Sequence, residues 1–354
     1  MLKGKRQPTL KNIAERVDVT VNTVSLALRD SPLVLPETKA NILKVAREMG
    51  YVHNVLAGSL RSGQSHTIAI LFGDVANLLF AQRIKALERI LREKKYQVLI
   101  LNTEEDALVE ARAIRTAVSH QVDGIVFCPC QQGRESLDLL KQYRVPCVLM
   151  GRETPDAQID TVVWDDFEGA RLATTHLLKA GCRSVVFLNG PEFISSARLR
   201  RQGYEEAMRA AELTPMTVNA DSMSGGVNRA LDQLSENGVR YDGLFVFSDL
   251  MALEASSWLM KRGIRVPEDV GVVGFDDILS SVSLPFELTS VASDRRAESE
   301  IVVDILLRRI AEPDAPVRID RRPVRLVERE SSRHGGGMDA APPALDGLRG
   351  RSNE

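Results

Sequence analysis

From residue 67 onward, apolar runs of strand length alternate with segments of helical period, and no other feature of the chain restricts its fold so severely. Runs at 68–72, 97–101, 124–127 and 147–150 predict strands, with helices near 79–94, 107–119 and 134–142 between them. A second series predicts strands at 184–188, 216–219, 244–247 and 270–274, with helices near 166–180, 196–211, 225–236 and 249–262. Such alternation builds parallel sheets joined by right-handed crossovers. Two such series predict an α/β architecture of two doubly wound lobes, with a ligand crevice at the carboxyl ends of the strands. One more helical pattern, 294–310, puts Ala297, Ile301, Ile305 and Leu306 on one face and is expected to return the chain to the first lobe.

The first fifty residues have a different, all-α texture. Thr9 is placed to cap a helix over 10–17 whose apolar face is Ile13, Ala14 and Val17. Thr20 is placed to cap a second, ending near Leu28, with Val24, Ala27 and Leu28 inward. Pro36 and Gly50 bracket a third, whose core stripe is Ile42, Val45, Ala46 and Met49. Two short helices across a tight turn read as a helix-turn-helix, although the same pattern fits a small three-helix bundle without a ligand. Charge separates the two ends of the chain. The net charge is −2, yet residues 1–62 hold ten Lys/Arg against five Asp/Glu, so this segment carries +5 and the remainder −7. A basic end on an acidic body assigns any polyanion contact to that end.

Residues 54–62 span one or two helical turns, with Gly58 inside, and are too short to persist as an isolated helix. After Arg333, a Gly-Gly-Gly run followed by Ala-Ala-Pro-Pro and scattered charges predicts a disordered tail. Cys128, Cys130, Cys147 and Cys182 lack the pairing of a zinc site and read as buried, reduced thiols. No stretch approaches the roughly 20 apolar residues of a membrane span, and no export signal follows Met1, so a cytoplasmic, nucleoid-associated protein is expected. The chain has no phosphate loop, dinucleotide fingerprint or nucleophile elbow, so neither catalysis nor a cofactor or metal is expected.

The order and spacing of nine segments resemble the LacI/GalR family of bacterial repressors. They are Ile-Ala-Glu-Arg-Val-Asp-Val-Thr-Val-Asn-Thr-Val-Ser (13–25), Glu-Met-Gly-Tyr (48–51), Ala-Gly-Ser-Leu-Arg (57–61) and Val-Asp-Gly-Ile (122–125). Asp-Asp-Phe-Glu-Gly-Ala (165–170), His-Leu-Leu-Lys-Ala-Gly (176–181), Arg-Arg-Gln-Gly-Tyr (200–204), Ser-Asp-Leu-Met-Ala (248–252) and Val-Gly-Phe-Asp-Asp (273–277) complete the set. The resemblance covers the chain to about residue 330. It implies a helix-turn-helix headpiece at 1–53, a hinge helix and linker at 54–64, and a periplasmic-binding-protein-like effector and dimerisation domain at 65–330. Lobe one is then expected at 65–162 plus 294–318, lobe two at 163–293 plus 319–330, and a disordered tail at 331–354.

By position, the resemblance makes the second helix the major-groove reader, with Val21, Asn22 and Leu26 at the base-reading places. Thr9, Thr20, Thr23, Ser25 and Arg29 belong to the same DNA-binding surface, and Leu60, beside the small Ala57, matches a leucine that wedges into the minor groove. In the sensor it implies that Arg200 holds a polar group of the effector, Asp276 binds its hydroxyls or amines, and Phe80 covers its apolar face. Arg152, Ser196, Ser222, Ser248 and Ser293 complete the expected lining, and Asp249 is read as a helix cap. Several places depart from the family's pattern. Leu26 stands where Arg or His is common, Asp18 where the turn usually holds Gly, Ser248 and Ser293 where sugar-binding members often carry amides, and Gly151 where many have Asp. The expected partners are double-stranded DNA with a pseudo-palindromic operator, a small polar effector and a second copy of the chain. The rival reading, a transporter's solute-binding protein, has no use for the basic segment 1–62.

Overall fold

The computed structural model describes residues 8–28, 30–51, 64–154, 158–220, 225–280 and 287–333. The chain divides into two units, Met1–Ser65 and His66–Glu354. Arg29, Ala57, Leu60 and Ser222, and the tail beyond Arg333, lie outside the described residues.

The first unit holds helices α1 (Leu10–Val17), α2 (Val21–Leu28) and α3 (Pro36–Glu48). Thr9 and Asn12 close a reciprocal capping box at the start of α1. Asp18 ends that helix at φ 57, ψ 50, so the turn survives without glycine because a short polar side chain tolerates the left-handed region. Thr20 Oγ1 accepts from Thr23 N at 3.1 Å and caps α2. Ile13, Ala14, Val24, Ala27, Ile42, Val45 and Ala46 form a buried core with Val34, while Leu28 and Met49 pack at its margin.

The second unit is built on two six-stranded sheets. The first contains β1 (Thr67–Phe72), β2 (Gln97–Asn102), β3 (Gly124–Phe127), β4 (Cys147–Met150), β5 (Asp160–Trp164) and β11 (Ile319–Arg322), in the order β11-β5-β4-β3-β1-β2. Every pairing in it is parallel. Helices α4 (Leu78–Glu93), α5 (Ala107–Ser119) and α6 (Glu135–Tyr143) connect its strands. The second contains β6 (Val185–Asn189), β7 (Met216–Asn219), β8 (Gly243–Val246), β9 (Gly271–Phe275), β10 (Thr289–Ala292) and β12 (Arg325–Val327), in the order β12-β10-β9-β8-β6-β7. Its helices are α7 (Asp166–Lys179), α8 (Ser195–Ala210), α9 (Gly226–Glu236) and α10 (Asp249–Lys261). A last helix, α11 (Arg295–Ala311), packs back on the first sheet, as its predicted return requires.

Five corrections follow. The strands β5, β10, β11 and β12 are absent from the sequence reading, being short and, in Ile319–Arg322, mostly charged. Strand β12 runs antiparallel to β10, so the second sheet is not wholly parallel. Residues 163–164 and 319–322 belong to the first sheet, which moves the lobe boundary relative to the expected 162 and 318. Helix α11 buries Val302, Val303, Ile305 and Leu306, while Ala297 and Ile301 lie only half-buried, because the helix is covered on more than one side. The ordered chain also extends past 330. Ser331 Oγ donates to Val272 O at 2.7 Å and accepts from Thr289 N at 2.8 Å, and Ser332 Oγ lies 2.7 Å from His176 Nε2.

Each sheet is sandwiched between apolar layers on both faces. Glycine sets one close approach. A Cβ on Gly203 would stand 2.0 Å from Phe167 O, so α7 and α8 pack at a distance that only glycine permits.

Candidate functional site

In the first unit α2 leaves two side chains exposed, Val21 and Asn22. Thr23 is half-buried, and Leu26 packs partly against the headpiece core instead of standing free. Ser25, expected on the DNA-facing surface, is buried, because it follows Val24 on the flank of the helix that faces the core. Thr9 and Thr20 are exposed, each also serving as a helix cap. Leu33 (82% exposed) and Leu35 (74% exposed) add apolar surface before α3 that the sequence reading missed, since neither falls in a periodic segment.

In the second unit the carboxyl ends of the two sheets bring arginines and carboxylates together. Arg200 comes from the second turn of α8 and is 3% exposed. Its Nε donates to Asp166 Oδ1 at 2.7 Å, its Nη1 donates to Phe247 O, and its Nη2 stands 3.7 Å from Asp276 Oδ1. Its guanidinium lies 3.5 Å from the centroid of the Phe275 ring, a desolvated cation–π contact. Thus the expected pair Arg200 and Asp276 does meet, and Asp166 joins it.

Asp276 sits just past β9 at φ 101, with Asp277 at φ 49. Such backbone persists only where neighbours over-determine it. Here Arg295 Nη1 donates to the carbonyls of Asp276 (2.9 Å) and Asp277 (3.1 Å), and Arg329 Nη2 reaches Asp277 Oδ1 at 2.7 Å. Burial pushes the Asp276 carboxyl up to about 6, against the pull of Arg200 and Arg83.

Asp249 is not the cap it was expected to be. Ser248 caps α10, its Oγ accepting from Met251 N at 3.4 Å. Asp249 instead points inward, fully buried, and accepts from Ile278 N (2.8 Å) and Ser290 Oγ (2.6 Å). Burial, and then nearby Asp276, push it up to about 8. It thereby anchors the strained segment that carries Asp276.

The remaining expected residues fall in distinct settings. Arg152 is buried in a bidentate pair with Glu105 (2.6 and 2.9 Å) and also donates to Pro129 O, so its charge is already met. Phe80 is buried and stacked on Phe72, with ring centroids 5.0 Å apart. Ser196 is buried one turn before Arg200, and Ser293 is half-buried at the crossing into α11. Gly151 takes φ +83, and a Cβ there would stand 2.5 Å from Trp164 Cη2, which is why no acidic side chain fits. Hydrogen bonds tie the lobes across the crevice: Ser195 N to Gln131 Oε1 (2.7 Å), Glu153 N to Ser195 Oγ (3.1 Å) and Gln82 Nε2 to Ile278 O (3.1 Å).

The sequence reading missed Arg83, Trp164 and Glu298, all buried beside this crevice. A signal was available for two of them. Arg83 interrupts the apolar stripe of Phe80, Ile84 and Leu87, and Glu298 that of Val302 and Ile305. Among the described residues, no helix is long and apolar enough to cross a membrane and no acidic, histidine or cysteine cluster could hold a metal ion.

Residues 9–54 match the family described as bacterial regulatory proteins, lacI family, and residues 174–332 match the periplasmic binding protein-like domain. The ribose operon repressor of Escherichia coli (strain K12) is 29% identical over 330 residues, covering 92% of this chain and 99% of that protein. The HTH-type transcriptional regulator GntR of Pseudomonas aeruginosa is 30% identical over 310 residues, covering 86% and 90%. A crystal structure of the lac repressor dimer bound to operator shares the fold, with a TM-score of 0.83 at 23% identity over 92% of this chain and 99% of that one. With its headpiece, its two sheets and these relatives in agreement, the chain belongs to the lacI family of bacterial DNA-binding regulatory proteins.

Proposed function

We propose that the protein is a homodimeric repressor in the cytoplasm, whose affinity for a pseudo-palindromic operator is set by a small polar effector, a sugar or related metabolite, held between the two lobes. One observation carries the reading: Arg200 and Asp276, from different elements of lobe two, face each other at 3.7 Å in the interlobe crevice of a chain with a DNA-binding headpiece. The outward Val21 and Asn22 read bases, Asn22 by pairing with adenine and Val21 by apolar contact with a thymine methyl. Arg29, Ala57 and Leu60 contribute by sequence position, the last by wedging open a base step. A relative named as a ribose operon repressor supports a sugar-like effector. The crevice carboxylates Asp166, Asp249 and Asp277 are engaged by arginines, a backbone amide or a hydroxyl, which suits binding and not turnover.

In this account the effector acts by its differential affinity for lobe arrangements. The test is selection of a duplex from a random pool, followed by anisotropy titration. Selected DNA should be a two-half-site sequence bound with an affinity that falls steeply with salt. A pool that yields no enriched sequence, or a salt-independent affinity, contradicts the reading.

A further inference from the structure

Three buried polar groups beside the crevice make no hydrogen bond within the Arg200 network. Arg83, on α4, and Glu298, on α11, are 2% and 1% exposed. Arg83 Nη2 and Glu298 Oε2 stand 3.5 Å apart, an ion pair without a hydrogen bond. Arg83 Nε, both carboxylate oxygens of Glu298, and Trp164 Nε1 are all buried without a hydrogen-bond partner. The Arg83 guanidinium lies 3.6 Å from the centroid of the Trp164 ring. That ring lies at the carboxyl end of β5 and over Gly151 at the end of β4, on the edge of the first sheet that borders the crevice. Arg83 also feels the charge of Asp276 from the other lobe. An apolar pair of the same shape would continue the stripes of α4 and α11 without the desolvation cost of two buried charges.

We propose that Arg83, Trp164 and Glu298 form a second ligand-reading subsite on the lobe-one side of the crevice, and that it takes a neutral vicinal diol of a polyhydroxyl effector. The proposal rests on the reading of the crevice as the effector site. Its chemistry follows from the orphaned atoms. Arg83 Nε–H and Trp164 Nε1–H are donors, and the Glu298 oxygens are acceptors. A hydroxyl group both donates and accepts, so two adjacent hydroxyls meet donors and acceptors without adding charge. A phosphate or carboxylate meets only the donors and opposes Glu298, and a cation meets only the acceptors and opposes Arg83.

The test is calorimetric titration of the full-length protein with D-ribose, D-glucose, cellobiose and ribitol, and with the anions D-gluconate and ribose 5-phosphate. Wild type, Glu298→Gln, Trp164→Phe and Arg200→Ala are compared. A neutral member should bind, Glu298→Gln should weaken it roughly tenfold or more, and Trp164→Phe about fivefold. Trp164→Phe keeps an aromatic ring under Arg83, so the test survives if Glu298→Gln folds poorly. A monodeoxy derivative of the bound probe should lose affinity in wild type and little further in Glu298→Gln, a coupling that a purely structural carboxylate does not produce. Binding by anions alone, binding by no neutral member, or a neutral ligand indifferent to Glu298→Gln and Trp164→Phe overturns the subsite. Where Arg200→Ala abolishes binding in those cases, the crevice reading survives. Binding untouched by Arg200→Ala overturns both.

Discussion

Arg200 Nε donates to Asp166 Oδ1 at 2.7 Å with both side chains almost wholly buried, and the same guanidinium stops 3.7 Å short of Asp276. One carboxylate fixes the arginine while the other is left near, but not bonded to it. This arrangement presents a positioned donor and a strained, high-pKa acceptor to whatever enters the crevice.

Removing the fixing carboxylate should therefore destabilise the sensor. Asp166→Ala leaves Arg200 buried without its closest charge, and breaking a buried pair costs about 3–5 kcal/mol. Asp166→Asn keeps an acceptor oxygen and should cost less. Urea denaturation followed by circular dichroism measures both, and equal stability of Asp166→Ala and wild type would refute the assignment.

Burial raises four carboxyls in the folded chain: Asp276 to near 6 and Asp249 to near 8, against the ordinary aspartate value of about 3.9, with Asp166 and Glu110 shifted in the same direction. Between about pH 4 and pH 8 the native state then holds more protons than the unfolded state, so their contribution to stability falls as pH rises through that window. Burial lowers the pKa of His176, which acts in the opposite direction near its own titration. The difference between wild type and Asp249→Asn isolates the carboxyl. Relative to the variant, wild type should lose on the order of a few kcal/mol between pH 5 and pH 8. A difference that stays flat or grows in favour of wild type contradicts the buried, proton-holding Asp249.

Glycine substitutions should separate helix packing from the shape of the crevice. Gly203→Ala drives a methyl to 2.0 Å from Phe167 O, so α7 and α8 must part, at about 1–3 kcal/mol or more. Gly151→Ala meets Trp164 at 2.5 Å and also strains φ +83, so it should shift the indole and its fluorescence as well as stability. A Gly203→Ala protein with wild-type melting temperature would contradict the close approach.

For the headpiece, Asn22→Ala should cost about 1–3 kcal/mol at one base-pair position and relax preference there. Thr9→Ala should instead lower headpiece stability by about 1 kcal/mol through the lost cap. Anisotropy with point-substituted duplexes distinguishes them: uniform weakening by Asn22→Ala across all sequences would remove it from base reading.

Most of the architecture was legible because periodicity reports burial. The Thr9 cap of α1, the proline that opens α3 and eight of the strands follow from local chemistry at named residues. Strands β5, β10, β11 and β12 were not legible, since short segments such as Ile319–Arg322 owe their conformation to a neighbouring strand and not to their own pattern. In the crevice, Arg200 and Asp276 came from motif position. Asp166, Asp249 and Glu298 have roles that depend on contacts far apart in sequence, such as Asp249 with Ile278 and Ser290. The burial of Ser25 was not legible for a related reason: a short step along the helix carries the chain from the exposed Asn22 to the buried Val24 and Ser25.

The central claim is that occupancy of the crevice beside Arg200 governs DNA affinity. Its most direct measurement is anisotropy titration of the selected duplex with wild-type protein and Arg200→Ala, with and without the sugar that raises the wild-type melting temperature most. The account predicts that the sugar changes wild-type DNA affinity at least about tenfold, a coupling of about 1.4 kcal/mol, while Arg200→Ala binds the DNA as wild type does and no longer responds. An unchanged sugar response in Arg200→Ala would contradict it.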